Sequence, residues 1–119
     1  MTDISVHKAP LFVEWRDKMN LVYLKEHICE ELDGAEEYIK RAIEIKAMDP
    51  SWAKMFYEMS SQELAHAGYF YKMATDYYTK VTGAFSEPPE YMEECMETTT
   101  DIYTERTALI KHMHTMYSK

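Results

Sequence analysis

Apolar residues recur along the chain in three long stripes. Their positions follow alternating steps of three and four residues, and the gaps of seven or eleven residues contain stripe positions that are not apolar. This spacing places them on one side of an α-helix, as in the helices of a bundle. The first stripe comprises Leu21, Leu24, Ile28, Ala35, Tyr38, Ala42 and Ile45. The second comprises Trp52, Phe56, Met59, Phe70, Met73 and Tyr77, and the third Tyr91, Cys95, Ile102, Leu109 and Met116. The pattern therefore predicts an all-α fold with three long helices.

Two turn signals separate the stripes. Asp49 and Pro50 predict that the first helix stops near Met48 and that a second begins with Asp49 as N-cap and Pro50 in its first turn. Gly83 and the later Pro88–Pro89 pair predict the second break. Because both connections are short, the neighbouring helices are expected to be antiparallel.

The chain of 119 residues has the length of one domain. We expect residues 1–9 to form a flexible N-terminal arm and residues 10–119 a single helical domain, with Pro10 opening a short helix before the first stripe. No apolar signal segment or membrane-length apolar run is present, so the expected location is the cytoplasm. Cys29 and Cys95 fall among apolar neighbours and are expected to be buried free thiols.

The net charge of −8 excludes two classes of partner. A chain this acidic repels nucleic-acid phosphates and anionic lipid surfaces, so neither nucleic acid nor membrane is expected as a partner. Hard cations are more natural partners, although acidity can equally serve solubility alone.

Charged residues interrupt the three stripes at positions that should be apolar. Glu31 lies in the first stripe, Glu63 and His66 in the second, and Glu105 in the third. Folding the chain back at the two turns places Glu31, His66 and Glu105 at one height, with Glu63 about one turn away.

Acidic side chains buried in an apolar layer need a positive charge. No Lys or Arg falls on the three stripes, so a divalent metal ion is the natural counter-charge. Glu and His side chains suit iron, manganese or zinc. Glu63 and His66 stand three residues apart, which lets both reach one ion. The alternative is a polar layer that sets helix register.

Part of this pattern resembles a known group of proteins. The run ELDGAEEY from Glu31 to Tyr38, the Asp49–Pro50 pair and the run ELAHA from Glu63 to Ala67 are similar to the first half of a rubrerythrin-type or encapsulated-ferritin di-iron protein. The resemblance, to the ferritin-like superfamily, covers roughly residues 21–80.

The resemblance implies iron ligands at Glu31, Glu63 and His66 and oxidation of Fe(II) by dioxygen or peroxide. It also implies that Tyr38 lies just outside the ligands, although a plain core aromatic is an equal interpretation. The chain departs from a complete ferritin-like bundle, which has four helices and two Glu-x-x-His motifs. Only one such motif is present here.

In encapsulated ferritins, two short chains pair, and each donates one Glu and one Glu-x-x-His motif. By this resemblance we expect a homodimer with a di-iron site between its subunits. The competing layout is a single ion held within one chain by Glu31, Glu63, His66 and Glu105. His112 is a weaker candidate ligand, and His7 and His27 are expected to face solvent.

Two functions follow from these expectations. The first is an iron-binding protein that oxidises Fe(II), for storage, detoxification or peroxide reduction. The second is a metal-free helical interaction module that kept the fold without the chemistry, because fold does not determine function.

Overall fold

The backbone of residues 2–84 and 88–119 forms three α-helices and no strand in the computed structural model, and side chains are described for residues 20–84 and 88–119. The helices are α1 (Thr2–Ile45), α2 (Pro50–Thr82) and α3 (Glu90–Ser118). The predicted arm at residues 1–9 falls within the bounds of α1, and the side chains of residues 1–19 lie outside the described set. The domain boundaries therefore stay a prediction.

The turn between α1 and α2 follows the predicted signals. Asp49 is the N-cap of α2, and its side-chain oxygen accepts a hydrogen bond of 3.1 Å from the backbone N–H of Trp52. Pro50 occupies the first helical position, where its missing N–H costs nothing. α1 ends at Ile45, three residues before the predicted Met48, because residues 46–48 form a turn. Gly83 follows the last residue of α2, as predicted.

Helix α1 supplies most of the hydrophobic core. Its buried side chains are Leu21, Leu24, Ile28, Leu32, Ala35, Ile39 and Ala42. Five of these belong to the predicted stripe, while Leu32 and Ile39 were not in it. Both are fully buried, and burying one such side chain contributes about 1.5–3 kcal/mol.

Helix α2 turns a side to the core that overlaps the predicted one only in part. Its buried residues are small and recur every seven positions: Ala53, Ser60, Ala67 and Ala74. Of the predicted stripe, Phe56, Phe70 and Tyr77 are half-buried and pack against the core, whereas Trp52 keeps 61% of its surface and Met73 51%. Small side chains let the backbones of two helices approach closely, so the small residues form the most buried contact of α2.

The predicted core side of α3 is confirmed only in part. The buried residues are Met92, Met96, Thr99, Thr107 and Ile110. Tyr91, Cys95 and Ile102 of the predicted stripe are half-buried and pack against the core, whereas Leu109 and Met116 are each 50% exposed. The most buried side of α3 is thus shifted from the predicted side by about one residue, which is 100° around the helix.

Polar contacts hold the three helices together. The buried Ser60 hydroxyl of α2 donates a 2.6 Å hydrogen bond to the Ala35 carbonyl of α1 and lies 2.8 Å from His114 Nε2 of α3. Burial lowers the pKa of His114, which favours its neutral form in this chain of contacts. Arg106 of α3 donates a 2.7 Å hydrogen bond to Asp33 of α1.

Within the described residues, no helix has a stretch that is both long and apolar enough to span a bilayer.

The orientation of α3 gives a test with two neighbouring residues. Ile110→Ala should lower the free energy of unfolding by about 2–5 kcal/mol, because Ile110 is fully buried and its truncation leaves a cavity. Leu109→Ala should cost less than about 1 kcal/mol, because half of Leu109 is exposed. Chemical denaturation of both variants measures the difference. The reverse order would show that the other side of α3 faces the core.

Candidate metal centre

Three side chains from α1 and α2 converge at one point. Glu31 projects from α1, and Glu63 and His66 project from the same side of α2, three residues apart. Each offers one ligand atom, and the three atoms all lie within 4.8 Å of one another. The structure thus brings together three of the four residues predicted from the interrupted stripes.

The Glu63 carboxyl group binds a proton more tightly than an ordinary glutamate does. A hydrogen bond to Glu31 raises the pKa of Glu63 from 4.5 to about 6, and burial and the negative charge of Glu31 act in the same direction. The charge of His66 opposes the rise. Below about pH 6, Glu63 therefore holds a proton between the two carboxyl groups, which we call the shared proton, and above that pH both carboxyl groups are mostly ionised.

One oxygen of Glu31 is buried without a hydrogen bond. Glu31 Oε2 has no hydrogen-bond partner, and His66 Nδ1 lies 3.5 Å away, where it pairs with the carboxylate only when the imidazole is protonated. An ionised oxygen withdrawn from water without a partner is costly. A positive charge at this point would remove that cost.

A glycine on α1 lies against the Glu63 carboxylate. A Cβ atom at Gly34 would lie 3.4 Å from Glu63 Oε2, within ordinary contact distance, so an alanine would fit here. A side chain longer than that of alanine would have to avoid the carboxylate. The signal for this position in the sequence is a glycine inside a helical stripe, three residues after Glu31, and it was not used to predict the site.

Aromatic side chains form one wall of the site. Glu31 and His66 open into a shallow cavity of about 300 Å³ that Tyr69 and Phe70 also line. The ring of His27 stacks on Phe70, with centroids 5.1 Å apart, and its side chain is only 31% exposed. The expectation that His27 faces solvent is thus corrected, because Phe70 covers its ring.

The remaining predicted residues lie outside the convergent group. Tyr38 is half-buried and stacks on Phe56 at a centroid distance of 6.2 Å. Glu105 and His112 are both exposed on α3. Glu105 precedes the buried Thr107 by two positions, which is about 200° around the helix, so it points away from the core. His7 lies outside the described residues.

The donor set fits a divalent transition metal. Carboxylate oxygens and an imidazole nitrogen are ligands that iron, manganese and zinc accept. Three donors fall short of the four of a closed zinc site, so further positions around an ion would be open to a second molecule.

Comparison of the chain with protein-family models, with characterised proteins and with solved structures finds no match.

The shared proton predicts an unusual dependence of stability on pH in metal-free protein. Because the pKa of Glu63 is higher in the folded chain, at about 6, than the unfolded value of 4.5, the folded state binds more protons in this range. The free energy of unfolding should therefore fall as pH rises from about 4.5 to about 6. Chemical denaturation at several pH values in the presence of a chelator measures this fall.

Glu63→Gln should weaken that fall because the titrating group is gone. Glu58→Gln is a matched control, since Glu58 is an exposed residue of the same helix and its removal should leave the fall in place. An equally steep fall in Glu63→Gln and in the unmodified protein would contradict the shared proton.

Proposed function

We propose that this protein binds iron through Glu31, Glu63 and His66 and oxidises Fe(II) at a di-iron site formed between two copies of the chain. The observation that carries the proposal is the convergence of two carboxylates and one imidazole on a single point. The buried Glu31 Oε2 has no hydrogen-bond partner there, and His66 Nδ1 lies 3.5 Å from it. An iron ion would supply a positive charge at this point, and below about pH 6 its binding would release the shared proton.

The surroundings of the centre support a second copy. We use the term apolar face for five exposed residues of α2: Trp52, Met55, Met59, Tyr69 and Met73. Along α2, Glu63 and His66 lie between Met59 and Tyr69, so the ligands sit in the middle of this face. Large apolar side chains grouped at a polar site mark an interaction surface.

A two-fold axis through the apolar face would complete the centre. In a two-fold dimer the same patch meets itself, so a second Glu31, Glu63 and His66 would face the first set. Two copies contribute four carboxylates, because each contributes Glu31 and Glu63. Their four negative charges equal the charge of two Fe(II) ions, whereas two carboxylates from one chain balance only one.

The helix pairing within one chain suits this assembly. Asn20 near the beginning of the described part of α1 donates a 3.0 Å hydrogen bond to Tyr77 near the end of α2, while Ala35 contacts Ser60. These contacts support an antiparallel pair of helices. Two such pairs would form a four-helix arrangement of the ferritin-like kind, in which facing helices hold carboxylate and histidine ligands.

Oxidation follows from the hardness of the ligands. Carboxylate oxygens stabilise Fe(III) more than Fe(II), which favours electron loss. In air, two Fe(II) ions at this site would each lose one electron, and dioxygen would take up both electrons and two protons to give hydrogen peroxide. With hydrogen peroxide as the acceptor, two electrons and two protons would give two water molecules. A pair of irons therefore matches an acceptor of two electrons.

Loss of a ligand should abolish this activity. Glu63→Ala and His66→Ala are each expected to abolish Fe(II) oxidation, measured as the appearance of Fe(III) absorbance after addition of Fe(II) in air. Under anaerobic conditions, Fe(II) should raise the unfolding temperature of the unmodified protein but not of these variants, because a ligand bound only to the native state stabilises it.

His112→Ala is the matched control for His66→Ala, because both histidines are exposed on a helix and only His66 belongs to the convergent group. The control should oxidise Fe(II) at the normal rate. Unchanged oxidation in Glu63→Ala or His66→Ala would contradict the proposed ligands. Protein without stoichiometric metal and with no response to Fe(II) would instead support the interaction module.

The apolar face gives an independent test of the second copy. Met55→Glu should convert the iron-loaded protein from a dimer to a monomer in native mass measurements. The Met55 side chain is 56% exposed in one chain, so a charged side chain is tolerated there. A dimer interface over the apolar face would bury that charge and is therefore disfavoured. Leu109→Glu is the control, since Leu109 is 50% exposed on α3 and outside the apolar face. It should leave the dimer intact. An iron-loaded protein with the mass of one chain would contradict the shared site.

A further inference from the structure

The two cysteines of the chain line one groove, although 65 residues separate them in sequence. Cys29 of α1 and Cys95 of α3 both border an open cavity of about 640 Å³ between these helices. Both thiols are free, as expected, and they are half-buried rather than buried. Their position in the same groove was not expected, because their spacing in the sequence is not that of a metal-binding pair.

We propose that Cys29 and Cys95 together form a binding site for a soft monovalent metal ion of the Cu(I) type. Thiolate sulfur is a soft ligand and selects Cu(I) over the hard ions that carboxylates prefer. An ion held by both sulfurs would link α1 to α3. Binding replaces the two thiol protons with one metal ion and requires no change of oxidation state.

The number of donors decides between soft metals. Among the described residues, the one group of three or more Cys, His, Asp or Glu side chains that could share an ion is the centre at Glu31, Glu63 and His66. Cys29 and Cys95 belong to no such group, so the proposed site rests on the two sulfurs alone. Structural zinc takes four protein ligands, so a pair of sulfurs does not suit zinc. It suits Cu(I), which accepts two.

The thiol site is separate from the iron centre. Cys29 precedes Glu31 by two residues on α1, and this places the two side chains about 200° apart around the helix. Glu31 faces α2, whereas Cys29 faces the groove beside α3. A soft ion and a hard ion would therefore bind on opposite sides of α1 without sharing a ligand.

The rim of the groove attracts cations. Glu26, Glu30 and Glu94 line it together with one basic residue, Lys25. Three carboxylates against one ammonium group give the groove a negative potential, which raises the local concentration of positive ions. The carboxylates would guide the ion, and the sulfurs would hold it.

Titration of the reduced full-length protein with Cu(I) in the absence of oxygen tests this site. A coloured Cu(I) chelator serves as competitor. The unmodified protein should bind one Cu(I) per chain and show the near-ultraviolet absorption of a Cu(I)–thiolate bond. Cys29→Ser and Cys95→Ser should each lower the affinity on the order of a hundredfold, because a second ligand held on the same molecule contributes about that factor.

Two controls keep the result interpretable. Serine matches cysteine in size, and an unchanged helix content by circular dichroism shows that each variant is folded. Glu63→Gln keeps both cysteines and should bind Cu(I) as the unmodified protein does, so a failure of the iron proposal would leave this result untouched. The proposal is overturned if the unmodified protein binds no Cu(I), or if each single variant retains one full-affinity ion and the thiols therefore act independently.

Discussion

The close approach of two carboxyl groups governs the chemistry of this molecule. Glu31 and Glu63 come from different helices, and their ionised forms repel each other in a partly buried setting. Below about pH 6, the raised pKa of Glu63, a shared proton relieves this repulsion. A cation would relieve it as well, and this is the basis of the proposed iron site. His66 adds a nitrogen ligand at the same point and so directs the choice towards a transition metal.

That approach depends on how α1 and α2 pack. The large side chains of α1 lie against the small residues that α2 presents every seven positions, including Ser60 and Ala67. Close packing of the two backbones brings Gly34 next to the Glu63 carboxylate, where a Cβ atom would lie 3.4 Å from Glu63 Oε2. The site is therefore a consequence of the small residues of α2 as much as of the ligands themselves.

The same packing leaves five large apolar side chains of α2 exposed. The apolar face would be an unfavourable surface for an isolated chain, and it surrounds the only convergent group of metal-binding side chains in the described residues. One assembly explains both features, because a second copy would cover the apolar residues and complete the ligand set together. Helix α3 lies apart from this face, and Arg106 and His114 attach it to the other side of the pair.

The sequence by itself determined the three helices, the cap at Asp49 and the pairing of Glu63 with His66, because all of these follow from interactions between residues a few positions apart. It also pointed to Glu31 through the interrupted stripe. Only the tertiary structure decided which side of each helix faces the core. Helix α2 carries one side of small residues and one of large residues, and periodicity cannot say which of them packs. For that reason Glu105 was predicted to lie in the ligand layer. For the same reason, the groove that Cys29 and Cys95 both line was not predicted.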